Sequence, residues 1–403
     1  MIAILANVAD RMNSLLEIRG ISRLFGVGMS ATKTRYLYLD GARLIAALGV
    51  AAWHVRNAPR LDQMNIINLH YTIVDFFFVL SGFVLWPTLK RLQVAAPESE
   101  ALSNFLWKRF LRLWPFSFLV LTATLAFVSM LLAYEHVAGV QGADAAIDER
   151  PLAAWPVALM FLQIFSHAAW AWCVPLWSLS ALWWATVVTV LVCRYQRVRF
   201  DVALLVIGTV TVVACILHNP ENLDATYGLS GFARALIGLN LGIIVRRVIL
   251  QRALPSRWIL GVIATLAFTS LLIADTKTHG VALVIAPWAM LTAVLILAGM
   301  SSDGLSDKKA NLLSEMGKYS FPLFIWHVLV LQIYGDALLL AKIPDSSIVN
   351  SFQVKYAVVV SVTLVIASFS MRKLEPPIER ALSKLGEKYL PFTRVTKETS
   401  ISQ

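Results

Sequence analysis

Apolar residues in this chain gather into blocks of roughly 17 to 22 positions, the length a helix needs to cross a hydrocarbon core. Taken in order, the blocks predict ten spans near 38–56, 70–89, 113–133, 177–193, 201–217, 230–246, 258–274, 281–300, 319–338 and 354–371. A further block, 151–166, is shorter, opens with Pro151 and holds Pro156. It reads as a re-entrant or interfacial helix with both ends on one side. The expected fold is all-α: a polytopic membrane helical bundle of about ten transmembrane helices plus that one re-entrant or interfacial helix.

Composition agrees with the pattern. Of 403 residues, 58% are hydrophobic and 15% charged, against about 25% charged in soluble globular chains. The net charge of +11 raises the question of a nucleic-acid partner, and the placement of the charges answers it. With the N-terminus inside, the cytoplasmic segments carry 27 Lys and Arg, the opposite side carries 6, and Arg43 and Arg234 lie within spans. That asymmetry is the positive-inside rule. A crossing at 151–166 would move every later basic cluster to the other side and largely erase the bias. The basic excess is topological, no nucleic acid is needed to explain it, and both termini are expected in the cytoplasm.

Residues 1–35 contain Asp10 and Glu17 and lack an uninterrupted apolar core with a small-residue cleavage site, so they do not read as a cleaved signal peptide. Two readings stand: a helix lying on the membrane surface, or translation starting at Met29. Cys173, Cys193 and Cys215 are odd in number and fall mostly within spans, giving neither a disulfide framework nor a metal-ligand spacing. No internal repeat or Gly-rich phosphate loop is evident.

Ionisable residues inside spans are costly and mark candidate functional positions. The first span carries Arg43 and, eleven residues on, His54. Eleven residues are three turns plus about 20°, so both side chains project from one face, roughly 16 Å apart along the axis. Asp40 falls within about 40° of the same stripe. Singly, these residues suit interfacial anchors and a packing histidine; together they place an acid and a cation at one end of a face and an imidazole far along it. Asp75 opens the second span from the side on which His54 ends. An Asp at a helix start is favoured by the helix dipole, and here it is also expected to pair with His54, fixing the ring and raising its basicity. Arg109 and Arg112 share a face at i, i+3 just before the third span. Planar guanidiniums suit phosphate oxygens.

These residues carry a family resemblance. Leu39-Asp40-Gly41-Ala42-Arg43 with His54 resembles the Arg-x10-His first helix of the acyltransferase 3 family of integral membrane O-acyltransferases. Val74 to Phe83 is similar to that family's second-helix signature, and Arg109-x-x-Arg112 to its Arg-x-x-Arg motif. Pro175-Leu176-Trp177-Ser178-Leu179-Ser180 resembles its Trp-Ser-Leu-Ser segment, and Phe232-Ala233-Arg234 with Gly238 and Gly242 its Arg-bearing helix. Tyr319 to His327 is similar to its Tyr-Ser-Leu-Tyr-Leu-x-His helix, and Leu374-Glu375-Pro376 to the Glu-Pro closing the last helix. The matches run in family order over about 36–380, leaving a cytoplasmic N-terminal segment 1–35 and a tail 381–403. One departure stands out: after Trp-Ser-Leu-Ser many members carry Glu, whereas this chain reads Ala181-Leu182-Trp183-Trp184. Either another group serves, or the acceptor site differs, or catalysis is impaired, and the complete His54 constellation favours a different acceptor site.

The resemblance implies a ten-helix enzyme of the cell inner (cytoplasmic) membrane. Its donor substrate is a cytoplasmic acyl-CoA, usually acetyl-CoA, with no metal, and its acceptor is a hydroxyl of a surface carbohydrate or glycolipid. Arg43, Arg109 and Arg112 are expected to hold the nucleotide and pyrophosphate. His54, with Asp75, acts either as general base on the acceptor or as transient acyl carrier; His327 is the competing histidine. Ser178, Arg234, His327 and Glu375 are expected to bind substrate. Two other classes compete: a secondary transporter, which commonly shows two related halves not seen here, and a non-catalytic scaffold, favoured only by the missing Glu.

Overall fold

Twelve α-helices, joined by turns and short 3₁₀ segments, make up the described structure, and among the described residues there is no strand. The computed structural model describes residues 36–57, 70–94, 101–138, 150–195, 199–218, 228–248, 262, 265–266, 279–300, 305–344 and 346–389. The chain divides into Met1–Tyr36 and Leu37–Gln403, and the second unit holds the bundle. The expected N-terminal segment 1–35, the span expected at 258–274 apart from isolated residues, and the tail beyond residue 389 lie outside the described residues.

In chain order the helices are α1 (Leu37–Asn57), α2 (Val74–Val94), α3 (Ala101–Ala138), α4 (Trp155–Leu159), α5 (His167–Trp172) and α6 (Leu176–Tyr195). There follow α7 (Phe200–His218), α8 (Gly228–Val248), α9 (His279–Gly299), α10 (Asp307–Leu340), α11 (Phe352–Phe369) and α12 (Glu375–Tyr389). A five-residue π-helical turn, Ser370–Leu374, joins α11 to α12.

Among the described residues, six stretches are long and apolar enough to cross a membrane: Ala101–Val137, Leu176–Tyr195, Phe200–His218, Gly228–Arg247, Asp307–Leu340 and Phe352–Tyr389. The chain is a multi-pass membrane protein. The expected ten are therefore matched in part. α1 and α2, each of 21 residues, have the length of a span, about 31 Å, but their apolar character is diluted. Asp40, Arg43 and Arg56 interrupt the first, and Asp75, Lys90 and Arg91 the second. Prolines 87, 115, 287 and 322 sit inside helices, as membrane helices tolerate when neighbours satisfy the freed backbone groups.

Segment 151–175 contains no helix longer than six residues, too short to cross. It is nonetheless embedded: Ala154, Ala158, Leu159, Phe161 and Ile164 belong to the main hydrophobic core. Irregular backbone within a bilayer must be buried in protein and hydrogen-bonded there, and side-chain hydrogen bonds tie this segment to α3 and α6. Trp114 donates to the Leu159 carbonyl at 3.1 Å and Trp155 to that of Leu121 at 3.1 Å. The Phe161 carbonyl accepts from Ser180 Oγ at 2.5 Å and from Trp184 Nε1 at 2.7 Å.

Two parallel helix pairs position the polar residues. α2 lies along α8 with their backbones almost in contact: a Cβ on Gly82 would stand 1.8 Å from the Leu239 carbonyl oxygen, and one on Gly242 2.0 Å from that of Val79. The Gly238–Gly242 pair is thus a small-residue seam of the kind that lets membrane helices close up. α1 lies along α10, with Gly41 against the Leu313 side chain and Gly317 against Asp40. Phe77 and Phe324, ring centroids 5.5 Å apart, join the two pairs.

Candidate active site

α1 is one unbroken helix from Leu37 to Asn57, so the three-turn spacing of Arg43 and His54 holds and both lie on one face. At the His54 end, α10 brings in His327, wholly buried. His327 Nε2 is 3.1 Å from His54 Nδ1, and the ring centroids are 4.9 Å apart. Each ring also reaches back one turn along its own helix. His54 Nδ1 lies 3.0 Å from the Val50 carbonyl oxygen and His327 Nδ1 lies 3.2 Å from that of Leu323. The two histidines expected to compete for one role stand in direct contact.

The expected pairing of Asp75 with His54 is not formed. Asp75 Oδ2 accepts from Arg234 Nη2 at 3.1 Å, and neither side chain is exposed. The cause is the α2–α8 seam, which sets the first turn of α2 beside the second turn of α8. A guanidinium left alone inside the bundle would be far costlier than a paired one. Trp177, which opens α6, covers the pair, with the Arg234 guanidinium carbon 5.3 Å from its ring centroid, a cation–π contact. The pair is only partly satisfied: Asp75 Oδ1 and Arg234 Nε and Nη1 are buried without hydrogen-bond partners.

At the other end of α1 the three arginines gather. Arg112 lies within electrostatic reach of Arg43, of Arg109 and of Glu375. Arg43 is held 3.8 Å from Asp40. The Nε of Arg109 is buried without a partner. Glu375, expected among the substrate-binding residues, opens α12 within electrostatic reach of Arg112. The cluster is a concentration of guanidiniums with unused donors, suited to phosphate oxygens.

Ser178 donates to the Pro175 carbonyl at 2.9 Å, closing the turn that starts α6. Beyond Ser180, where a carboxylate is missing, Trp184 is one of the two donors to the Phe161 carbonyl. The sequence motifs contain Trp177 and border Trp184 without assigning either a role, and Gln163 falls in none of them. Gln163 is buried, donates to the Ala158 carbonyl at 2.6 Å, and keeps its Oε1 unpaired. The signal in the sequence for Trp177 is its place in the Trp-Ser-Leu-Ser segment; Gln163 stands out only as a polar residue in an apolar block. Among the described residues no group of three or more His, Cys, Asp or Glu is placed to hold a metal ion.

No curated protein and no solved structure matches the chain. A family model does, and its span covers α1 through the π-helical turn after α11, so that it takes in both ends of the α1 face and both helix pairs. That model is the acyltransferase domain of the acyltransferase 3 family, matched over residues 36–372, and the chain belongs to this family of membrane acyltransferases.

Proposed function

We propose that the protein transfers an acyl group, typically acetyl, from acyl-CoA to a hydroxyl of a cell-surface carbohydrate or glycolipid. One observation carries the reading. A single unbroken helix, α1, carries Arg43 at one end and His54 at the other, on one face and roughly 16 Å apart along the axis; α3 adds Arg109 and Arg112 near the first, and α10 sets His327 against the second. That is the layout a long thioester donor requires: an anionic nucleotide end to be held, and a reacting end delivered some distance away.

In this reading the protein sits in the inner membrane with both termini cytoplasmic, its domain spans residues 36–380, and about ten helices cross. Arg43, Arg109 and Arg112 take the nucleotide phosphates by charge-assisted hydrogen bonds. The pantetheine arm runs along α1 toward His54. His54 removes the proton of the acceptor hydroxyl as its oxygen attacks the thioester carbonyl. The carbon–sulfur bond breaks, and the departing thiolate takes that proton, giving an O-ester and free CoA. The alternative route, an acyl group carried on the imidazole, uses the same residues. Arg234, Asp75 and Trp177 line the acceptor side, where unpaired donors and acceptors meet sugar hydroxyls and an aromatic face.

The test is turnover by the purified protein. Acetyl-CoA in liposomes containing the protein should release free thiol when a surface-glycan extract is supplied, and mass spectrometry of glycans with and without the gene should differ by an acyl mass. Acyl-CoA left intact under every acceptor condition would reject the enzyme reading in favour of a transporter or scaffold.

A further inference from the structure

The contact between His54 and His327 has a direction. Four groups make successive contacts: the Leu323 carbonyl oxygen, the two nitrogens of His327, the Nδ1 of His54 and the Val50 carbonyl oxygen. Carbonyl oxygens only accept. A neutral imidazole has one N–H and one lone pair, and which nitrogen holds the proton follows from its partners. His327 Nδ1, 3.2 Å from the Leu323 oxygen, must therefore hold the proton on that ring. Its Nε2 is then a lone pair, aimed at His54 Nδ1. On His54, Nδ1 faces two acceptors, the Val50 oxygen at 3.0 Å and His327 Nε2 at 3.1 Å, and its N–H is shared between them. The reverse arrangement would set a lone pair of each ring against a carbonyl oxygen.

We propose that His327 is a positioning residue that holds His54 as the Nδ1–H tautomer and turns its Nε2 lone pair to the acceptor hydroxyl. This rests on the acyl-transfer reading above and assigns Nε2 as the reacting atom within it. It also gives His327 the part that a carboxylate plays beside many catalytic histidines, and so explains why Asp75 is free to pair with Arg234. When His54 takes a proton on Nε2, the ring becomes a cation whose Nδ1–H still has two acceptors. The developing charge is spread toward His327, which can take that proton on Nε2 while its own Nδ1–H stays on the Leu323 carbonyl. No carboxylate has to be buried at this point of the bundle to do so. The arrangement depends on both helices, since the two backbone carbonyls that fix the proton positions come one from α1 and one from α10.

Two measurements test it on the full-length protein. The first is ¹⁵N NMR of histidine-labelled protein in micelles, where seven histidine rings contribute and His54 is assigned by its loss in His54→Gln. The expected result is a protonated Nδ1 and unprotonated Nε2 on His54, with a scalar coupling through the hydrogen bond to His327 Nε2. A His54 ring protonated on Nε2 overturns the proposal, whether or not the protein turns over acyl-CoA. The second is kinetic. His327→Leu should lower kcat about 10²-fold, the lower end of what a positioned base contributes, with KM for acyl-CoA unchanged. His327→Gln, whose amide oxygen can accept from His54 Nδ1, should restore most of the loss. A Leu variant with normal kcat, or a Gln variant as impaired as the Leu variant, rejects the positioning role. Wild-type protein that shows the expected tautomer but no turnover would instead reject the acyltransferase reading and leave the hydrogen-bond assignment standing.

Discussion

Asp75 and Arg234, 159 residues apart in the chain, meet at 3.1 Å where neither is exposed. Removing one partner of a buried ion pair strands the other and costs about 3–5 kcal/mol, whereas replacing both with apolar groups is often neutral. Asp75→Ala and Arg234→Met should each destabilise the purified protein by about that amount. The double variant should recover most of the loss in thermal unfolding. Strictly additive losses would mean that the two side chains do not depend on each other.

How far this site can be read from the chain differs between its two ends. The Arg43–His54 face was legible because a helix period is local, and α1 has no break to disturb it. The partner of Asp75 was not, because the first turn of a helix can face any neighbour, and the neighbour is chosen by packing. A signal for it did exist: Gly82 on one helix and the Gly238–Gly242 pair on another mark surfaces able to touch, and registering those surfaces sets Asp75 beside Arg234. The meeting of His54 with His327 had no such marker, since it depends on the rotation of α10 about its own axis. The span count shows the same limit. Asp40, Arg43 and Asp75, singled out as candidate site residues, are among those that lower the apolar character of α1 and α2.

The chemistry should be lost with the imidazole of His54. His54→Ala should reduce acyl transfer by about 10²–10⁴-fold, while the protein still inserts in the membrane and elutes as a folded species. A folded His54→Ala variant with near-normal turnover would remove His54 from the reaction.

Donor affinity should depend on Arg112. Its loss in Arg112→Ala removes charge-assisted hydrogen bonds worth about 1.5–3 kcal/mol each, and calorimetric titration with acyl-CoA should show it. Arg112→Lys should recover only part, because a planar fork becomes a point charge. Equal affinity in wild type and Arg112→Ala would move the phosphates elsewhere.

The carbonyl of Phe161 should tolerate the loss of one donor better than of both. Trp184→Phe removes one hydrogen bond and is expected to cost about 0.5–1.5 kcal/mol. Ser180→Ala also leaves Ile164 N–H without the hydroxyl it meets at 3.4 Å. The double variant strands a buried carbonyl and should lose more than the sum of the two in a thermal melt. A double-mutant cycle with no coupling would count against the shared role.

The α2–α8 seam should reject added bulk. Gly242→Ala places a methyl against backbone and should destabilise by about 1–3 kcal/mol or more. Gly335 is the control, since a Cβ there meets nothing within 4 Å. Gly335→Ala should be neutral or stabilising, up to about 1 kcal/mol, because alanine is the better helix former. Similar losses at both positions would show that the seam has room for a methyl group.

Where backbone touches backbone there is no layer of side chains for a rotamer change to rearrange, so α2 and α8 behave as one stiff spar. Asp75 and Arg234 are fixed to that spar. The α1–α10 contact is of another kind. At Gly41 the space of the missing Cβ is taken by the end of the Leu313 side chain, and a terminal methyl can swing aside. The α1–α10 contact therefore has give at the Gly41 end that the α2–α8 seam lacks, and the spar is the stationary frame against which any adjustment of α1 is measured.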